Sequence, residues 1–387
     1  MKQLNTAALF LILLAAARWI PSGNEDHYMA LAKAWFDPGW IPGSWILDEP
    51  AGARGLYNLL VGGLLSRFDF YTVSIVLKIL LSWWYARILS GYISPAVLGV
   101  VCYCPSFFGG EFIFMGCEPK HFAWALVLWH LTRRGRHTPA VLALATWFHV
   151  LVGGWYAVYW FLTHPGQWRK GVAYAILVAP LCYYLAGTQA GGEVAGCDAG
   201  FIYTRVRNLH HCYPLLYSKR DFLGFLVCLL CIPFSRKGLS RNMMTGCCVL
   251  AAVTSFFPAD QVVKLIPYRM LSLALLLELQ QHYLHRVWLR WPVRIAGLLC
   301  AVYLLGTNIK DTWLYVTDYA YAAEIARVRQ LPPGAIIVSE RSDFIRRSGR
   351  DVFVNTKFIP NAARRICEWQ ERREWVEKNS REIVFAP

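Results

Sequence analysis

The apolar residues of the chain form blocks of up to about 22 residues, separated by short polar connectors, as in multi-pass helical membrane proteins. The blocks cover residues 4–20, 71–92, 96–110, 121–132, 139–150, 151–163, 171–187, 221–234, 242–257, 266–281 and 294–307. Several are shorter than the ~20 residues of a straight span, so some helices must be broken or buried within the bundle. The pattern predicts an all-α polytopic membrane bundle of about 11 transmembrane helices.

Two stretches do not fit a simple series of crossings. Blocks 139–150 and 151–163 have basic connectors at both outer ends, so the chain must turn back between them, and Gly153-Gly154 supplies a flexible turn. Residues 56–68 have Arg54 and Arg67 at their ends, and this short stretch suits an interfacial helix better than a crossing.

Composition narrows the class of protein. Apolar and aromatic residues make up 56% of the 387 residues and charged residues only 16%, whereas a soluble domain carries about 25% charged residues. An ordinary cytosolic enzyme is therefore excluded. Disorder is excluded as well, because 17 Trp, 20 Tyr and 21 Phe are far too many buried-type side chains.

The charged residues orient the bundle. Four connectors, 132–139, 164–171, 235–241 and 282–294, are basic and contain no Asp or Glu, so positive-inside reasoning places them in the cytoplasm. The N-terminus is then inside and the C-terminus outside. The net charge of +15 comes largely from short connectors and not from one basic face, so we predict no nucleic-acid partner.

Charged residues become denser after residue 307, and the pattern there predicts a second region. Residues 335–339 and 351–355 are typical of buried strands, and a helical stretch follows. We therefore expect a small extracytoplasmic α/β domain over 308–387, attached to a transmembrane domain of residues 1–307. A disulfide could join two of the external cysteines, although their spacing selects no pair; they are Cys117, Cys197, Cys212 and Cys367.

The first external loop, residues 21–70, carries the most informative polar residues. Glu25 and Asp26, followed by His27 and Tyr28, come directly after the first helix and lead into an amphipathic segment. A carboxylate pair at the mouth of a membrane bundle is where a general base would meet a lipid-linked substrate. The same pair could instead cap the amphipathic helix and stay solvated.

Cations and histidines recur on the same predicted side of the membrane. They are Lys120 with Glu118 at a helix start, His149 inside an apolar block, Arg205, His210 and His211 in one loop, and Lys264 and Arg269 beside Pro267. Such cations suit a phosphate group. Each has a structural alternative: His149 could bond a neighbouring helix, and Lys264 and Arg269 could contact lipid headgroups. The histidine pair lacks the partners of a metal site, so no cofactor is certain and a role for Mg²⁺ or Mn²⁺ stays open.

This order of short motifs resembles the C-type (GT-C) polytopic membrane glycosyltransferases, and among them a group of poorly characterised bacterial members. The matching motifs are Asn24-Glu25-Asp26-His27-Tyr28, Glu118-Pro119-Lys120, Phe148-His149-Val150, Arg205 with His210-His211-Cys212-Tyr213-Pro214, Arg269, and Arg350 with Lys357-Phe358-Ile359-Pro360. The resemblance extends over most of the chain, with two to six residues at each point.

The resemblance implies that a sugar moves, with inversion, from a polyprenyl-phosphate donor to a glycan, lipid or protein acceptor on the outer face of a bacterial plasma membrane. It implies that Asp26 or Glu25 is the base that deprotonates or orients the acceptor hydroxyl. The donor phosphate would be bound by Arg269, Lys264, Arg205 and Lys120. Supporting roles would fall to Glu118, His149, His210, His211, Tyr28 and His27.

Two other functions stay open. A polysaccharide polymerase or ligase that joins lipid-linked repeat units would use the stretch from Arg205 to His211 as its chemical centre. A flippase or transporter for a lipid-linked sugar would need polar groups on both sides of the membrane, whereas the ionisable residues cluster on one side and no internal repeat is present. A soluble nucleotide-sugar enzyme is disfavoured, because the sequence has no Gly-rich phosphate loop.

Overall fold

The computed structural model describes most of the chain. The described residues are 2–21, 23–49, 52–103, 116–133, 135, 137–189, 196–207, 212–213, 219–256, 266–332, 335–339, 341–355, 358–360, 362–379 and 384–385.

Within these residues the chain is almost entirely helical. The seventeen α-helices are α1 Lys2–Ala16, α2 Asn24–Phe36, α3 Gly55–Leu65, α4 Phe70–Leu89, α5 Pro95–Tyr103, α6 Pro119–Thr132, α7 Thr138–Phe148, α8 Val150–Thr163, α9 Trp168–Gln189, α10 Ala199–Phe201, α11 Lys219–Cys231, α12 Leu239–Phe256, α13 Leu271–His285, α14 Val287–Val316, α15 Tyr319–Arg329, α16 Phe344–Ser348 and α17 Ala363–Lys378. A π-helical stretch, Ile202–Arg207, continues α10, and a 3₁₀ turn, Pro267–Met270, leads into α13.

Among the described residues, three helices are long and apolar enough to cross a membrane, namely Phe70–Leu89, Pro165–Gly187 and Val287–Val316. The prediction of a bundle of about 11 spans is therefore wrong. The reason is helix length: α1, α3, α7 and α8 have 11 to 15 residues. At ~1.5 Å per residue they reach at most about 22 Å of the ~30 Å hydrocarbon core. The three long helices are compatible with a membrane location.

The chain reverses between α7 and α8 at His149, so the prediction of a turn at Gly153-Gly154 is wrong. His149 has an extended backbone, with φ −157° and ψ 103°, and α8 begins at the next residue. Gly153 lies inside α8 and faces α7, where a Cβ atom would come within 2.3 Å of the backbone nitrogen of Thr146. The glycine allows the two helices to approach backbone to backbone.

The longest helix, α14, is anchored by small and polar contacts. A Cβ atom on Gly99 of α5 would lie 2.6 Å from the carbonyl oxygen of Gly297 of α14, so the two helices cross closely. Asn308 donates hydrogen bonds to the carbonyl oxygens of Ala15 at 2.5 Å and Ala17 at 2.9 Å. These contacts fix α14 against α5 and the end of α1.

The C-terminal region is not the predicted α/β domain. Its strands, Ile337–Val338 and Val384–Phe385, pair in parallel over two residues each, and residues 351–355 form no strand. The described part of this region consists mainly of α15, α16 and α17. The alternating valines that indicated a strand are buried against helices instead, Val352 in a cluster with Phe344 and Val354 in a cluster with Trp369.

The first loop and the C-terminal region share one hydrophobic core. Leu31 of α2 and Ile46 lie in a single cluster with Tyr321 of α15 and Phe344 of α16. A disulfide between Cys197 and Cys367, with a Cα–Cα distance of 6.1 Å, ties the segment that begins at residue 196 to α17. The structure thus selects one pair among the four external cysteines.

Candidate active site

Glu25 and Asp26 lie in the first turn of α2, and each is buried with 1% of its surface exposed. Glu25 faces α4. The Lys78 ammonium lies 2.9 Å from its carboxylate, and the Ser74 hydroxyl donates to the same group. Ser74 and Lys78 are four residues apart and share one helix face. One side of α4 therefore supplies both partners of Glu25.

Asp26 faces the opposite way, toward the C-terminal region. Arg346 Nε donates to Asp26 Oδ1 at 2.7 Å, and the Ser342 hydroxyl donates to Oδ2 at 3.0 Å. The same guanidinium donates to the Tyr315 hydroxyl at 2.8 Å and to the carbonyl oxygen of Pro21 at 3.3 Å. The two neighbouring carboxylates are therefore bound by different parts of the chain.

Burial raises the pKa of both carboxyls, because removal from water disfavours their charged forms. The nearby ammonium of Lys78 opposes this shift in the pKa of Glu25, and the guanidinium of Arg346 opposes it in that of Asp26. Both carboxylates already accept hydrogen bonds from the protein. If either acts as a general base, its bound donors must first move away from it.

Glu118 and Lys120 form a more accessible ion pair at the start of α6. Lys120 Nζ lies 3.1 Å from Glu118 Oε2, and the two side chains are 10% and 12% exposed, against 2% or less for Glu25 and Asp26. The Glu118 backbone N–H donates to His121 Nδ1 at 3.2 Å, which fixes the helix start. Asn24 Nδ2 donates to Glu118 Oε2 at 3.5 Å and connects this pair to α2.

His149 and Arg269 meet at the tip of the α7–α8 hairpin. Arg269 Nη1 lies 3.2 Å from His149 Nε2, and the backbone N–H of Val152 donates to His149 Nδ1 at 3.3 Å. A neutral imidazole has only one acceptor nitrogen, so its tautomer decides which of these two contacts is a hydrogen bond. The contact brings together two residues that lie 120 positions apart and that the sequence assigned to one site.

The backbone before Arg269 has an unusual conformation. Ile266 adopts φ 43° and ψ 62°, and among the described residues it is the one non-glycine with a positive φ. A β-branched residue in this left-handed region is strained by about 1 to 3 kcal/mol and persists where the surroundings enforce it. The strained residue starts the turn that presents Arg269 to His149.

Aromatic rings connect the hairpin tip to the start of α6. Phe122 of α6 stacks on Phe148 with ring centroids 5.2 Å apart, and Tyr57 contacts Phe122 edge-on at 5.9 Å. The Tyr57 hydroxyl donates to the carbonyl oxygen of Cys117 at 2.6 Å. The acidic first turn of α2, the Glu118–Lys120 pair and the His149–Arg269 pair therefore lie at one end of the helical bundle, here called the acidic end.

His27 and Tyr28 contact aromatic and cationic groups. The His27 ring lies 5.3 Å from that of Tyr28 and 4.3 Å from that of Phe358. The Arg54 guanidinium lies 5.3 Å above the Tyr28 ring and pairs with Glu49 at 3.0 Å. The contact between His27 and Phe358 joins α2 to the C-terminal region.

Arg205 is exposed in the π-helical stretch that follows α10. Its guanidinium lies 5.2 Å from the Tyr213 ring and 5.9 Å from the Phe201 ring. Three further predicted site residues, His210, His211 and Lys264, lie outside the described residues.

Comparison of the chain with protein-family models, with curated proteins and with solved structures found no match. Its site must therefore be interpreted from its own residues. Across the described ranges, no group of three or more His, Cys, Asp or Glu side chains is arranged to hold a metal ion.

Sequence reasoning missed the residues that bind the two buried carboxylates, namely Ser74, Lys78, Ser342 and Arg346. Lys78 could have been found, because a cation in the middle of an apolar helix long enough to span a membrane requires a partner. Arg346 belongs to a region dense in arginine, where nothing in the local pattern sets it apart.

Proposed function

We propose that the chain is a membrane glycosyltransferase that takes a sugar from a lipid-linked phosphate donor, a polyprenyl phosphate in the first instance, and transfers it with inversion to an acceptor hydroxyl. The observation that carries the proposal is the acidic end itself. The Glu118–Lys120 ion pair and the contact between His149 and Arg269 lie beside the buried carboxylates of Glu25 and Asp26. Cations there suit a phosphate leaving group, and carboxylates suit proton removal.

In this proposal Glu118 is the base, because its carboxylate is the most exposed of the three acids at this end. It takes the proton of the acceptor hydroxyl, whose oxygen attacks the anomeric carbon of the sugar. The bond from that carbon to the phosphate oxygen breaks, and its electron pair stays on the phosphate. Arg269 and Lys120 stabilise the charge that develops on the leaving lipid phosphate.

Glu25 and Asp26 then have a positioning role. Their bonds to Lys78 and Arg346 fix the first turn of α2, and Asn24 in the same turn bonds Glu118. Loss of either carboxylate is expected to misplace Glu118 even though neither touches the substrate.

We further propose that the acidic end faces the outside of a bacterial plasma membrane. The Cys197–Cys367 disulfide supports this orientation, because disulfides persist in oxidising compartments. The four acid-free basic connectors support it as well, since basic connectors favour the cytoplasmic side.

The test uses full-length protein in nanodiscs with a radiolabelled mixture of polyprenyl-phosphate sugars and candidate acceptors, with Mg²⁺, Mn²⁺ or EDTA. Donor consumption and free polyprenyl phosphate are measured for the wild type, Glu118→Gln, Asp26→Asn and the surface control Glu324→Gln. We expect Glu118→Gln to lower consumption at least 100-fold, as for loss of a general base, and Glu324→Gln to retain it.

Three results would overturn parts of the proposal. Full turnover by Glu118→Gln, with loss only in Asp26→Asn, would return the role of base to the first loop. Donor that binds the wild type but is not consumed would favour a transporter over an enzyme. Donor that does not bind would remove the phosphate role of Arg269 and Lys120.

A further inference from the structure

A cavity of about 610 Å³ lies between the ends of α4, α6 and α13 and the start of α12. Its volume is within the ~300–1,000 Å³ of small-molecule sites. Helix α6, which is preceded by Glu118, ends at this cavity with Thr132, 14 residues after Glu118. At 1.5 Å per residue the cavity is roughly 20 Å from the Glu118–Lys120 pair. It is therefore separate from the acidic end.

Leucine is the most frequent residue in the walls of this cavity, and the two cations that line it come from one connector. Leu128, Leu131, Leu277 and Leu284 line it, while Arg236 and Lys237 line it from the exposed stretch before α12. None of the described residues that line it is acidic. The site thus offers an apolar compartment with two positive charges and no lining carboxylate.

The buried polar groups in the wall are already bonded within the protein. Gln280 Oε1 accepts the backbone N–H of Ser94 at 2.9 Å, and the Ser240 hydroxyl donates to Glu278 at 2.5 Å. A ligand inside the cavity therefore meets apolar side chains. Polar contact is available mainly where the exposed cations lie.

We propose that this cavity binds an anionic lipid, with its phosphate at Arg236 and Lys237 and one hydrocarbon chain along the leucine wall. A phosphate with a long apolar chain matches both halves of the site. Two sources share this chemistry, a phospholipid of the bilayer and a polyprenyl phosphate. The inference does not depend on the proposed glycosyltransferase activity, because it concerns the opposite end of the bundle.

The probe is phosphatidylglycerol with a fluorophore on one acyl chain, titrated against the full-length protein in detergent. Arg236→Gln with Lys237→Gln should weaken binding about 25-fold, with a fivefold loss per cation. The matched control is Arg169→Gln with Lys170→Gln, which removes equal charge from the start of α9, outside the cavity lining. It should leave the affinity unchanged.

Cavity filling tests the apolar half. Leu277→Trp should weaken binding without a change in charge, and Leu131→Trp serves as a second variant if the first does not fold. The conservative pair Arg236→Lys and Lys237→Arg should restore binding of the probe.

The outcomes separate the alternatives. Equal losses in the Arg236/Lys237 and Arg169/Lys170 variants would overturn the site in favour of diffuse attraction. Binding that is unaffected by both tryptophan variants would overturn the placement of the hydrocarbon chain along the leucine wall. Equal competition by phosphatidylcholine, which is zwitterionic, would overturn the selectivity for an anionic headgroup. Unlabelled polyprenyl phosphate that displaces the probe more strongly than phosphatidylglycerol identifies the prenyl lipid as the ligand, and the reverse order identifies a phospholipid.

Discussion

Asp26 and Arg346 are 320 residues apart in the chain, yet the Asp26 carboxylate accepts a hydrogen bond from Arg346 Nε at 2.7 Å. Both side chains are buried, with 1% and 7% exposed. The bond joins the first turn of α2 to α16. Stability of the first loop therefore depends on a residue near the other end of the chain.

We expect Arg346→Gln to destabilise the protein by about 3 to 5 kcal/mol, because a buried carboxylate loses its counter-charge. The control Arg327→Gln breaks an exposed pair with Glu324 and should cost about 0 to 1 kcal/mol. Adding Asp26→Asn to Arg346→Gln should recover part of the loss. Thermal unfolding in detergent measures all three, and similar shifts for Arg346→Gln and Arg327→Gln would contradict the assignment.

Two neighbouring glycines of α8 should respond differently to replacement by alanine, because only one of them faces α7. Gly153→Ala forces a Cβ atom against the backbone of Thr146 and should destabilise the protein by about 1 to 3 kcal/mol. Gly154→Ala meets no described atom within 4 Å, and it should be neutral or stabilise by up to about 1 kcal/mol, since alanine favours a helix interior. Melting temperatures of the two variants check this order, and a reversed order would refute the close approach.

Replacement of either cysteine of the disulfide should destabilise the protein, whereas replacement of a free cysteine should not. Cys197→Ser and Cys367→Ser should each lower the free energy of unfolding by about 2 to 5 kcal/mol, and by the same amount as one another. Cys182→Ser, at an exposed thiol, should have little effect. Thiol labelling with and without reductant, read by mass spectrometry, shows whether the pair exists. Labelling of Cys367 in unreduced protein would disprove it.

Two aspartates, Asp351 and Asp69, should make the stability of the folded protein depend on pH in opposite directions. Burial raises the pKa of Asp351, which accepts a bond from Ser44 at 2.6 Å, above its usual 3.8. Hydrogen bonds from Thr72 lower the pKa of Asp69 at the start of α4 below the same value. Asp351 therefore favours the folded state most below pH ~4 and less as pH rises toward its folded pKa. Asp69 contributes its stability above pH ~4 and loses it as pH falls.

Melting temperatures of Asp351→Asn and Asp69→Asn, each compared with the wild type between pH 3 and pH 7, test these signs. As pH rises, Asp351→Asn should gain stability relative to the wild type, and Asp69→Asn should lose it. The same trend in both variants would show that at least one shift is assigned in the wrong direction.

The sequence predicted most of the helices, but it did not predict which of them are long enough to cross a membrane. Apolar periodicity located α7 and α8 within one or two residues, yet it could not show that they turn at His149 or that Gly153 serves helix contact. The valines of 351–355 have the alternation of a strand, but helices bury them. The local hydrophobic pattern indicates which side chains are buried, but it does not indicate which element packs over them.

The candidate site was predictable only in part, for a similar reason. Residue type and position marked Glu118, Lys120, His149 and Arg269, because charged groups stand out in apolar surroundings. The pairing of His149 with Arg269, and that of Asp26 with Arg346, depends on contacts across more than a hundred residues. No local feature of a single sequence encodes such contacts.

The core shared by α2 and the C-terminal helices has a consequence for synthesis. A ribosome adds about 5 to 20 residues per second, so roughly 16 to 64 s separate the completion of Asp26 from that of Arg346. During this interval Leu31 and Ile46 lack the aromatic partners that cover them in the finished protein. The first loop of the nascent chain therefore stays without these partners until α16 has been synthesised, and a chain that terminates before α16 would leave Leu31 and Ile46 without them.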